Sequence, residues 1–102
     1  MERKKTLVLI IDDHPLICDA YIHALNLVEK ENSEVSFKVT RAHNCDEAIA
    51  KVKESSNRIL KYDLIFLDIK LPPSKDKKIL SGEDLGLKIN KLLPDSKVIV
   101  ST

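Results

Sequence analysis

Neither sign of charge dominates this chain: 17 basic and 16 acidic residues leave a formal net charge of +1. Without a broad basic field the chain is not expected to grip nucleic acid by itself, so such a role needs residues outside it. Long apolar runs are missing as well. The run from Leu7 to Ile11 that follows the basic "MERKK" is far shorter than a secretory core or the roughly 20 residues of a membrane span. A cytoplasmic protein with no membrane association is expected. Cysteine is scarce: Cys18 and Cys45 fall in different expected helices without CxxC spacing, and read as reduced core residues rather than a disulfide or a metal pair. There is no internal repeat and no low-complexity tract, and only the lysine-rich piece at residues 74–78 departs from the surrounding composition.

What is present is enough for one core. At 102 residues with 43% apolar content, the chain is one globular domain. "TLVLII" (Thr6 to Ile11) is aliphatic without alternation, the pattern of a strand buried on both faces of a parallel sheet. Pro15 suits a first helical position, and Leu16, Ile17, Ala20, Tyr21, Ala24, Leu25 and Val28 recur on one helical face. "VSFKVTRA" (Val35 to Ala42) alternates and reads as an edge strand; Asn44 then caps a helix, with Glu47 as its reciprocal partner and Ala48, Ile49 and Val52 facing inward. "DLIFLD" (Asp63 to Asp68) is a second aliphatic strand, residues 83–92 form a helix that Pro94 stops, and "KVIVST" (Lys97 to Thr102) is a last strand. Such alternation predicts an α/β domain with right-handed crossovers, helices on both faces and ligands beyond the carboxyl ends of the strands.

Polar chemistry converges on that edge. The first strand delivers Asp12 and Asp13, the third Asp68, and the fourth Ser101 and Thr102. Three carboxylates that close cannot all ionise cheaply unless a positive charge sits among them. A hard divalent cation with oxygen ligands fits, magnesium foremost, and the lack of a His/Cys cluster argues against zinc. Asp12 and Asp13 taken alone could be a turn and a helix cap, and Thr102 alone an ordinary strand end. His14 reads as a local hydrogen-bonding group at a helix start rather than a phosphoryl carrier or ligand.

"LIIDDHP", "DLIFLDIKLP" and "VIVST", in that order, resemble the receiver domain of bacterial two-component response regulators. The resemblance implies a flavodoxin-like, doubly wound parallel sheet of order 2-1-3-4. It matches Asp68 to the phospho-accepting aspartate, and Asp13 and Asp68 to the direct Mg2+ ligands. Asp12 matches the acid that holds the metal through water, the backbone carbonyl of Lys70 the remaining protein ligand, and Thr102 the hydroxyl that moves to the phosphoryl group. The implied partner is a sensor histidine kinase or a histidine phosphotransfer protein. The implied role is a signalling module rather than an enzyme, switching an output; "DDHP" resembles regulators with a helix-turn-helix output domain, which implies transcription. A haloacid dehalogenase-like phosphohydrolase is the enzyme alternative, but that class wants a second aspartate where this chain has Lys70. A pseudo-receiver acting by contacts alone would not keep Asp12, Asp13 and Asp68 together.

Two departures from the pattern stand out. Residues 73–81, "PSKDKKILS", are a longer connection than usual. They read as a solvated loop, with the alternative that Lys75, Lys77 and Lys78 recognise an acidic face of a phospho-donor or shield the site. Receivers also continue past the fourth strand with a helix, a fifth strand bearing a lysine and a final helix. Residues 1–102 are therefore expected to be an incomplete receiver, prone to self-association through an exposed edge strand.

Overall fold

The computed structural model describes residues 4–101. The elements are β1 (Lys4–Ile11), α1 (Pro15–Glu31), β2 (Val35–Ala42), α2 (Cys45–Ser56), β3 (Leu64–Asp68), α3 (Gly82–Leu92) and β4 (Lys97–Ser101). All four strands pair in parallel, in the order β2-β1-β3-β4. The flavodoxin-like arrangement is therefore present. Thr102 lies outside the described residues.

β1 is central, and its continuous aliphatic run follows from having helices on both sides. Leu9 and Ile11 join Ile65 and Leu67 against Ala48 and Val52 of α2 and Leu85 and Ile89 of α3. Val8 and Ile10 turn the other way, toward Cys18 of α1, with Tyr21, Ile22, Leu25 and Phe66 packed around them. The rings of Tyr21 and Phe66 stack with centroids 4.5 Å apart. Cys18 and Cys45 are free and buried, as the spacing predicts.

The buried stripe of α1 differs from the expected one. Cys18 is its only fully buried residue, flanked by Tyr21, Ile22 and Leu25, while Leu16 is 81% exposed and Ala20, Ala24 and Val28 face solvent. The helix lies toward the β1–β2 side of the sheet, which its hydrogen bond from Phe37 N to Glu29 Oε1 (2.6 Å) ties down. The helix face is thereby rotated away from Leu16 and Ile17. The α2 cap is also shifted by one residue: Asn44 accepts from Glu47 N at 2.8 Å, but Glu47 Oε2 takes the N–H of His43 at 2.8 Å rather than that of Asn44.

Residues 73–81 are solvated as expected, with residues 73, 75–78 and 80 exposed, but the segment is closed around two buried residues. Ser74 and Ile79 are buried, Ser74 N donates to Ile79 O at 2.9 Å, and Ile79 N donates to Ser74 Oγ at 3.1 Å. One buried serine thus closes the turn on itself, because its hydroxyl supplies the partners that buried backbone groups require. Among the described residues no helix is long and apolar enough to cross a membrane.

Candidate functional site

The site lies where β1 and β3 end. Asp12 N still donates to Ala42 O at 3.0 Å, so the strand geometry holds one residue past β1 and carries the Asp12 side chain into a buried position, 4% exposed. Its Oδ1 accepts the backbone N–H of His14 at 2.8 Å, a turn in which the carboxylate replaces a backbone acceptor. Asp68 repeats the device at the end of β3: its Oδ1 accepts Lys70 N at 2.9 Å, and the residue is 8% exposed. Each acid thus has one oxygen fixed by its own turn. Asp13, beside them, is exposed.

His14 is the group whose place the sequence did not give. Its Nδ1 lies 2.8 Å from Asp12 Oδ1, 3.1 Å from Asp13 Oδ1 and 3.8 Å from Asp68 Oδ2. The local bond to Asp12 is the expected one; the reach toward Asp13 and Asp68 is more than a local role. The bond to Asp12 and the charges of Asp13 and Asp68 raise the imidazole pKa above its usual value, since each favours the cationic ring. The signal for it was the position of the histidine, directly after the acid pair.

Asp12, Asp13, His14 and Asp68 each offer a ligand atom, and these atoms lie within 4.8 Å of one another. The donor set is rich in carboxylate oxygen, the chemistry of a hard divalent cation, and its imidazole is 64% exposed. The residues therefore fit magnesium. A cavity of about 330 Å³ opens beside them, lined by Asp12, His14, Ile17, Tyr21, Asp68, Lys70 and Ser101. Lys70 stands on its wall with an exposed side chain, and Ile69 N donates to Ser101 O at 3.1 Å, which ties β4 to the residue after Asp68. Of the residues expected at the site, Asp12, Asp13, Asp68 and Lys70 are brought together here.

No protein-family model matches the chain, and no curated protein matches it. Among solved structures it is similar to a response regulator receiver domain protein (CheY-like) from Methanospirillum hungatei JF-1. The two are 27% identical with a TM-score of 0.70, over 95% of this chain and 63% of that one. The chain thus spans less than two thirds of the structure it resembles.

Proposed function

We propose, from the CheY-like receiver fold that this chain carries, that it is a receiver module which accepts a phosphoryl group on Asp68. The observation that carries the reading is the meeting of Asp12, Asp13 and Asp68 at one sheet edge, beside an open cavity. The donor is the phosphohistidine of a histidine kinase or a histidine phosphotransfer protein. A carboxylate oxygen of Asp68 attacks phosphorus in line; the new P–O bond forms as the P–N bond breaks, and the departing imidazole nitrogen keeps the electron pair and takes a proton from solvent.

Such a transfer needs position more than covalent chemistry. The Lys70 N–H holds Asp68 Oδ1, so the carboxylate is fixed at the wall of the cavity. Asp12 and Asp13, with Asp68 and the backbone carbonyl of Lys70, would hold Mg2+. That ion, when bound, neutralises charge on the acids and the incoming phosphoryl oxygens. His14, whose Nδ1 lies 2.8 Å from Asp12 Oδ1, would have to leave that bond for Asp12 to serve the ion. The acyl phosphate adds negative charge and acceptor oxygens at the end of β3, beside the β4 edge where Thr102 would supply a hydroxyl. Drawing that hydroxyl inward is the switch that an output, transcription included, reads.

The test is a reaction of the chain with acetyl phosphate and Mg2+, read by intact mass. A single phosphoryl adduct is expected, lost in Asp68→Asn and without Mg2+. A folded wild-type chain that stays unmodified, or an Asp68→Asn chain that is still modified, overturns the reading.

A further inference from the structure

The turn at residues 73–81 does more than connect β3 to α3. Its closure by Ser74 and Ile79 makes it rigid, and Lys77 sits at its tip with φ of 61°. A non-glycine residue is held in that left-handed conformation only where its surroundings determine it. Here the surroundings are the bond from Lys77 N to Ser74 O (3.1 Å) and Asp76, whose Oδ1 accepts Lys78 N at 3.0 Å and the Ser74 hydroxyl at 2.8 Å. These bonds hold the Asp76 carboxyl below its usual range, so it is ionised and occupied by the turn itself. The turn is also pinned sideways onto α2, since Lys75 N donates to Asp46 Oδ2 at 3.2 Å and the Cys45 thiol lies 3.2 Å from Pro72 O.

Below the turn, a cavity of about 180 Å³ runs between α2 and α3, with Lys53 and Lys88 on its walls facing Lys78 of the turn. Lys75 and Lys77, in the same turn as Lys78, are exposed. Lys53, Lys78 and Lys88, from three elements, therefore line one cavity, and Lys75 and Lys77 add two more lysines to the turn that covers it. The ion pairs among the described residues involve His14, Arg41, His43 and Arg58, and none of these lysines. Asp46 and Asp76, the two acids lining the same cavity, already accept backbone N–H groups. The face thus presents five lysines against two carboxylates, an excess of positive charge in a chain whose overall charge is nearly balanced.

We infer that this face, Lys53, Lys75, Lys77, Lys78 and Lys88, docks an acidic surface of the phosphohistidine-carrying donor protein. The inference rests on the phospho-accepting reading of Asp68 and names its partner's chemistry. Location selects the donor: Pro73, where the turn starts, follows Asp68 by five residues, so a protein that brings its imidazole to Asp68 comes close to the turn. Charge complementarity at such a face acts on encounter, through the rate of association at low salt, more than on the chemical step.

The experiment uses the full chain and, as probe, a histidine kinase domain autophosphorylated with ATP, chosen as the fastest donor to the wild type. Transfer to Asp68 is timed at low and high salt for the wild type, for the chain with all five lysines changed to glutamine, and for the chain with all five changed to arginine. Acetyl phosphate labelling is run in parallel. In the glutamine variant, transfer from the protein donor should fall on the order of tenfold at low salt and lose its salt dependence, while acetyl phosphate labelling stays unchanged. The arginine variant should keep wild-type rates. Equal transfer by wild type and glutamine variant, or a wild-type rate insensitive to salt, overturns the docking face and leaves Asp68 as acceptor. Failure of acetyl phosphate and kinase alike to label the wild type overturns both.

Discussion

Gly82 opens α3, and a Cβ built on it would lie 2.6 Å from both Cα and O of Ile69 and 2.7 Å from its carbonyl carbon. The obstruction is backbone, not a flexible side-chain tip. Gly82→Ala must therefore push the start of α3 and the segment after Asp68 apart by about 0.8 Å to reach ordinary contact. Overpacking of this kind costs about 1–3 kcal/mol, against which a better helix former at a helix start returns at most about 1 kcal/mol. In a domain of this size the melting midpoint shifts by about 4–8 °C per kcal/mol, so a fall on the order of 10 °C is expected. Gly86→Ala is the internal control: its Cβ meets only the Leu67 Cδ2 methyl at 3.3 Å, which a small rotation relieves. Neither glycine has positive φ, so sterics alone separate the two. Thermal unfolding followed by circular dichroism should show Gly82→Ala well below the wild type and Gly86→Ala at or slightly above it. Equal midpoints for the two variants would refute the close approach of α3 to Ile69. Because Ile69 follows Asp68, Gly82→Ala should also slow acetyl phosphate labelling.

Three further outcomes are expected. In calorimetric titration, Asp13→Asn should weaken Mg2+ binding on the order of tenfold or more, whereas His14→Ala should leave it equal or tighter; weakening on loss of the ring would count His14 as a ligand and point to a softer metal. Cys18 and Cys45 are buried, and burial pushes both thiol pKa values up, so Ellman's reagent at neutral pH should modify them only as the chain unfolds; fast reaction of the native chain would contradict the packing. Asp76 is held below its usual range, so its contribution is complete above the unfolded value of about 3.9 and is lost as pH falls through the lower folded one. A pH series of melting midpoints should show Asp76→Asn below the wild type at neutral pH and the gap closing in strong acid; a gap that widens in acid would reverse the sign.

The sheet was legible because β1 and β3 obey a simple rule: a strand covered on both faces has no polar residue to alternate, so "LVLII" and "LIFL" could only be internal. Their ends followed, since the first carboxylates after such runs must emerge at the rim. The helix cap at Asn44 was equally local, although Glu47 bonding to His43 shows that a cap's second half depends on chain direction rather than residue type, and the cap that Ser81 supplies to α3 was not read from the sequence. The buried stripe of α1 was not legible in detail: Leu16 is apolar and in phase, yet where the helix rolls is set by β2, through contacts remote in sequence. The closed turn was hidden for a similar reason. Ser74 looks like any loop serine until Ile79 is buried beside it, and only then does its hydroxyl have backbone groups to satisfy. His14 was read as local because its neighbour Asp12 is; Asp68 reaches it from a strand more than fifty residues away.

On the proposed function, Asp68 and no neighbouring group carries the phosphoryl bond. The direct measurement is reductive trapping: the chain is labelled with acetyl phosphate and Mg2+, reduced with borohydride, digested and sequenced by mass spectrometry. An acyl phosphate at Asp68 is reduced to homoserine, so homoserine at position 68, absent without the phosphodonor, is the expected result. An unreduced Asp68 with the label instead acid-labile on His14, or homoserine at Asp12 or Asp13, would contradict the account.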